Sequence, residues 1–199
     1  MSKKKTIIIL VLVFVLLIGG ASVLYTQLSE EDAPDGLLVQ EDQNKNDNES
    51  QSDSSGTGNT ERQLTKAPNF TVYDASGNKV NLSDYIGKPI VLNFWASWCG
   101  PCQREMPDFQ QKYLENSDVQ FLMVNLTVGR ETMSTAKSFI SSKGYTFPVF
   151  FDTESSAADA YSVYSIPTTF FIDAEGYIVA QATGAIDAAT LQSGIDLIK

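Results

Sequence analysis

The sequence predicts an α/β three-layer sandwich behind a membrane segment and a polar linker, and three observations carry that reading. An apolar stretch, Val91-Leu92-Asn93-Phe94-Trp95, runs into Cys99-Gly100-Pro101-Cys102 and then into a helix pattern. Downstream, strand and helix patterns alternate and end in a hairpin and a helix, as in a sheet covered on both faces. Upstream, Ile7 to Leu24 holds no charged residue, and the residues after it are almost all polar.

The 199 residues carry a formal net charge of -10. That length accommodates one domain with appendages. Lys3, Lys4 and Lys5 precede the charge-free segment, which with its flanks is about long enough for a ~30 Å hydrocarbon core. Lysines on that side are expected to stay cytoplasmic, placing everything after Leu24 outside. Residues 1–28 are therefore expected to be a cytoplasmic stub and transmembrane helix, with a cleaved signal peptide at Gly19-Gly20-Ala21 as the alternative. No cysteine lies near the end of this segment to carry a lipid.

Residues 29–63 are rich in Asp, Glu, Asn, Gln, Ser and Gly, and only Leu37, Leu38 and Val39 interrupt the polarity. Such a stretch buries too little apolar surface to offset the entropy of ordering, so it is expected to be a disordered, acidic tether. Most of the negative charge lies there; from Leu64 on the balance is only -5. With no basic stripe to neutralise phosphates, nucleic acid is excluded as a partner.

The globular domain is assigned to 64–199. Phe70 to Tyr73 and Lys79 to Leu82 read as strands joined by a turn at Gly77-Asn78. Ser83-Asp84 reads as the cap of a short helical turn, and Pro89 opens the central strand. After the cysteines, Met106, Phe109, Tyr113 and Leu114 recur at helical spacing. Val119 to Leu126 is apolar on both faces, as expected of a strand in the middle of a sheet. Glu131 to Lys143 reads as a helix stopped by Gly144, followed by a strand at Val149 to Phe151 and a helix around Ser155 to Tyr161. Thr168 to Asp173 and Tyr177 to Thr183 form a second hairpin, and Asp187 starts a last helix burying Leu191, Ile195 and Ile198. Phe150, Phe151, Phe170 and Phe171 are expected in the core.

Cys99 and Cys102 are the only cysteines, and there is no histidine. Zinc would need further Cys or His ligands, so neither a metal nor a cofactor is expected. A bridge closing so small a loop would stabilise little, which favours a redox role for the pair. At the N-terminus of a helix, Cys99 meets unpaired N–H groups and the positive end of the dipole, which favour a thiolate. Cys99 is thus the attacking cysteine, and Cys102, one turn on, the resolving one. Trp98 is expected on the substrate-facing surface and Trp95 in the core. Tyr161 and Tyr164 fit a substrate groove or plain packing equally well.

The run Phe94-Trp95-Ala96-Ser97-Trp98-Cys99-Gly100-Pro101-Cys102, with Ile166-Pro167-Thr168 and Phe171-Ile172-Asp173, resembles the thioredoxin superfamily. The anchor, the leading β-hairpin and the central α/β insertion between Leu126 and Asp152 resemble, more narrowly, its TlpA/ResA-like membrane-anchored thiol-disulfide oxidoreductases. The resemblance implies a cis Pro167 beside the cysteines, blocking metal capture, with Ile166 against Cys99 where its backbone can pair with substrate. Gly100 and Pro101, the dipeptide of reducing thioredoxins, imply a reductant. Plain thioredoxins carry a buried Asp where this chain has Asn93, which cannot shuttle a proton. Glu105 is the candidate in its stead: it lies three residues after Cys102, on nearly the same side of the helix. ResA-like members carry a glutamate at the matching position. Burial would raise its pKa and suit it to take the proton of Cys102, whereas an exposed Glu105 would merely complement the helix dipole.

The resemblance further implies a single-pass protein of the cell membrane with its catalytic domain outside the cytoplasm. It would reduce exported disulfide-bearing proteins such as apocytochrome c, in cytochrome c maturation, or a methionine sulfoxide reductase. Electrons would come from a membrane thiol transporter of the CcdA/DsbD kind. Alternatives are a dithiol oxidant that installs disulfides, a peroxiredoxin-like peroxidase, and a binding or chaperone module without turnover. The peroxidase reading is disfavoured because Leu92 and Ala96 stand where the Pro and Thr of a peroxide-activating surround are needed.

Overall fold

The computed structural model describes residues 37–39 and 64–199. The charge-free segment from Ile7 to Leu24, and the linker apart from 37–39, lie outside these residues. Among the described residues no helix is long and apolar enough to cross a membrane.

Among the described residues, one nine-stranded sheet forms the middle layer. Its strands are β1 (Leu37–Val39), β2 (Thr65–Lys66), β3 (Thr71–Tyr73), β4 (Lys79–Asn81), β5 (Ile90–Trp95), β6 (Gln120–Leu126), β7 (Val149–Asp152), β8 (Thr168–Ile172) and β9 (Tyr177–Thr183). They lie in the order β1-β9-β8-β5-β6-β7-β3-β4, with β2 also pairing with β9. β5, β6 and β7 run parallel, and the other pairings are antiparallel. The helices are α1 (Gly100–Glu115), α2 (Met133–Lys143), α3 (Ser156–Ala160) and α4 (Ala188–Ile198), with a 3-10 turn at Leu82–Tyr85.

β5 is buried along its whole length because both sheet faces are covered. Val91 and Trp95 point into a cluster with Met106 and Phe109 of α1, Ala136 of α2, and Leu191 and Ile195 of α4. Ile90, Leu92 and Phe94 point the other way, toward Leu82 and Ala157. The two-residue period of a strand thus feeds two cores from one segment. At Gly194 of α4, an added Cβ would meet the Phe171 ring at 2.2 Å, so the helix lies on β8 only with glycine there.

The leading hairpin β3–β4 and the insertion α2–β7 stand as expected, as does the central place of β6. Three expectations are corrected. Leu37–Val39 is not free tether: it pairs antiparallel with β9, Leu37 opposite Ala182. Leu114 is 68% exposed, because the buried face of α1 follows Cys102, Glu105, Met106 and Phe109 and has turned away by position 114. α2 starts at Met133 and not at Glu131. Thr132 caps it, its hydroxyl accepting from the Thr135 N–H at 3.1 Å, which leaves Glu131 outside the helix.

Candidate active site

β5 ends at Trp95, and a turn closed by the Cys99 N–H donating to the Ala96 carbonyl (3.1 Å) delivers Cys99 to the N-cap of α1. Pro101 occupies the first turn, where the lack of an N–H costs nothing. The two cysteines form a disulfide, and the Cys102 N–H donates to Cys99 Sγ at 3.2 Å. In the reduced protein that donor and the helix terminus both stabilise a Cys99 thiolate. Cys102 is fully buried, whereas Cys99 keeps 5% exposure and Gly100 and Pro101 are exposed. The first sulfur is thus the more open of the two to an incoming disulfide.

The Ile166–Pro167 bond is cis. It brings the Ile166 carbonyl oxygen to 3.7 Å from Cys99 Sγ, close enough to accept from the thiol after reduction. Trp98 is 47% exposed beside it, and with Leu126, Val128, Val163 and Tyr164 it lines a shallow apolar groove ending at Ile166. The tyrosines separate: Tyr164 is exposed on this groove, while Tyr161 is buried against Phe70, Phe94 and Phe170.

Glu105 is 2% exposed. Its Oε1 accepts from Asn93 Nδ2 at 2.9 Å and its Oε2 from the Ile186 N–H at 3.1 Å. Burial pushes the carboxyl up to about 7 despite these two bonds, and Asp108 on the same helix adds to the rise. The alternative of an exposed glutamate at the start of the helix does not hold. Asn93 Nδ2 also donates to Thr169 Oγ1 at 3.0 Å, a contact that follows from the register placing Asn93 opposite Thr169.

A family model described as the AhpC/TSA family matches residues 64–181. The thiol-disulfide oxidoreductase ResA of Bacillus subtilis (strain 168) is 40% identical over 135 residues, covering 67% of this chain and 74% of its own length. The thioredoxin-like protein YneN of the same organism is 35% identical over 133 residues, 66% of this chain and 78% of that one. Among solved structures, StoA from Bacillus subtilis superposes with a TM-score of 0.58 at 27% identity, covering 65% of this chain and 97% of that one. A thiol:disulfide interchange protein of the thioredoxin family from Chlorobium tepidum TLS gives a TM-score of 0.60 at 25% identity, covering 68% of this chain and 97% of that one. The chain belongs to the AhpC/TSA family and, within it, to the ResA-like thiol-disulfide oxidoreductases.

This ResA-like chain also uses a residue that spacing alone did not single out. Glu131, 3% exposed, accepts hydrogen bonds from the Ser97 N–H, from the Ser97 hydroxyl (3.0 Å), from the Thr132 N–H (3.2 Å) and from the Thr135 hydroxyl. Burial pushes its carboxyl up, but the bonds from Thr135 and Ser97 outweigh that and hold it below the usual range. The next residue back, Arg130, lays its guanidinium over the Trp98 ring at 3.8 Å from the centroid. The segment just ahead of the inserted helix therefore grips both residues that precede Cys99. A polar residue just before a capping Thr was the available signal, but sequence does not show what lies opposite it.

Proposed function

We propose that this chain is a membrane-tethered, extracytoplasmic reductant of disulfides in exported proteins. The observation that carries the reading is a dithiol pair with one accessible sulfur at a helix N-terminus, beside a cis proline, with a buried acid three residues on along the same helix.

The Cys99 thiolate attacks one sulfur of the client disulfide, forming a Cys99–client bond and releasing the first client thiolate. Glu105 takes the proton of Cys102, and the Cys102 thiolate attacks Cys99 Sγ, breaking the mixed disulfide. The client leaves with both sulfurs reduced and the chain keeps the Cys99–Cys102 disulfide, so two electrons pass to the client. The Ile166 backbone pairs with the extended client, Pro167 holds that edge against Cys99, and Trp98 supplies an apolar wall. Gly100 and Pro101 set the poise of the pair on the reducing side. Such a cycle outside the cytoplasm needs a membrane thiol-electron donor of the CcdA/DsbD type, and apocytochrome c is the client class we favour.

The test uses the reduced full chain in detergent and an oxidised peptide containing Cys-x-x-Cys-His, the haem-attachment pattern. Stoichiometric appearance of two peptide thiols, with a trapped adduct on Cys99 in Cys102→Ser, is the expected result. An unreduced peptide, together with oxidation of its dithiol form by the disulfide form of the chain, would reverse the direction assigned here.

A further inference from the structure

Both oxygens of Glu105 face hydrogen-bond donors: Oε1 faces Asn93 Nδ2 and Oε2 faces the Ile186 N–H. That arrangement suits the carboxylate and leaves a proton on Glu105 without an acceptor. The Ile186 N–H is backbone and cannot change character. Asn93 can, because its amide has a donor end and an acceptor end of nearly the same shape. Its acceptor end is also free: among the described residues Asn93 Oδ1 is buried with no hydrogen-bond partner, an arrangement with a cost in a site closed to solvent.

We propose that Asn93 is a positioning residue whose side-chain amide turns over about its Cβ–Cγ bond each time Glu105 gains or loses a proton. With Glu105 ionised, Nδ2 serves Glu105 Oε1 and Thr169 Oγ1, as in the structure. With Glu105 protonated, Oδ1 takes that place and accepts from the Glu105 O–H and the Thr169 O–H, and Nδ2 becomes the unpaired end. Heavy-atom positions barely change. One amide end is unpaired in either state, so Asn93 favours neither form as a fixed donor would. That fits an acid that must load and release a proton in each cycle, and here the inference rests on the role proposed for Glu105.

The groups around Glu105 leave Asn93 as the partner able to respond. β5 contributes Asn93, β8 contributes Thr169, and the segment before α4 contributes the Ile186 N–H. None of these is charged. Asp108 of α1 acts on Glu105 through its charge alone, and Asp187 is engaged in capping α4 through the Thr190 N–H.

The test is NMR on the full chain in detergent micelles with the disulfide intact, so that neither cysteine titrates. The Glu105 carboxyl carbon and the Asn93 side-chain amide are followed between about pH 5 and pH 9, spanning the range where a carboxyl displaced upward by burial titrates. We expect the two to share one midpoint, and the contact of the Asn93 amide hydrogens with Thr169 to be present above it and lost below it. In Glu105→Gln the Asn93 signals should be independent of pH. A Glu105 carbon that titrates while the Asn93–Thr169 contact persists throughout would overturn the amide reversal and leave the role of Glu105 standing. A Glu105→Gln variant with unaltered pH dependence of turnover would instead overturn the proton-carrying role of Glu105, and with it the positioning role assigned to Asn93.

Discussion

Glu131 accepts hydrogen bonds from both the backbone N–H and the hydroxyl of Ser97, tying the inserted helix to the turn that carries Cys99. Replacing the carboxylate strands several donors at once. Glu131→Ala should cost about 3 kcal/mol, from ~1–3 kcal/mol for each buried group left unpaired. Ser97→Ala, which removes only one hydroxyl, should cost about 1 kcal/mol. Chemical denaturation of the two variants checks the ranking; equal and negligible losses would show that the clasp does not hold the turn.

Glu105 links stability to pH. Its carboxyl titrates near 7 in the folded protein against an ordinary 4.5, so the native state binds the proton more tightly. The resulting contribution is complete below about pH 4.5 and is lost as pH rises through about 7, a change of about 3 kcal/mol. Glu105→Gln should lack this component. Compared at pH 5 and pH 8, wild type should lose stability relative to the variant at the higher pH; a constant difference would contradict a buried, proton-binding Glu105.

Pro167 closes the site by holding Ile166 beside Cys99. Pro167→Ala should slow release of the client, and mixed disulfides on Cys99 should accumulate on non-reducing gels. Unchanged turnover with no adduct would remove Pro167 from the mechanism.

Gly194→Ala places a methyl where the Phe171 ring lies. Overpacking of this kind costs about 1–3 kcal/mol. Thermal unfolding should show that loss, and unaltered stability would mean that α4 can lift from β8 at no cost.

Much of this was legible in the sequence because each signal was local. Cys99 and Cys102 declared themselves by spacing, the buried strands by apolar runs, and α4 by Asp187 and the positions of Leu191 and Ile195. Glu105 was found from its offset along one helix. What stayed hidden depends on register between distant segments. Thr169 joins the Glu105 network only because β8 pairs with β5 in the register that sets Asn93 opposite it. Glu131 reads as helix until its partner at Ser97 is seen, and Leu37–Val39 reads as tether until β9 offers an edge.

Whether the Cys99–Cys102 pair is a reductant is decided by its equilibrium reduction potential in the full chain, titrated against a dithiol buffer. A reductant should give a value near or below about -250 mV, close to thioredoxin at about -270 mV. A value near about -120 mV, that of the strong oxidant DsbA, would contradict the reductant reading and make the chain a donor of disulfides.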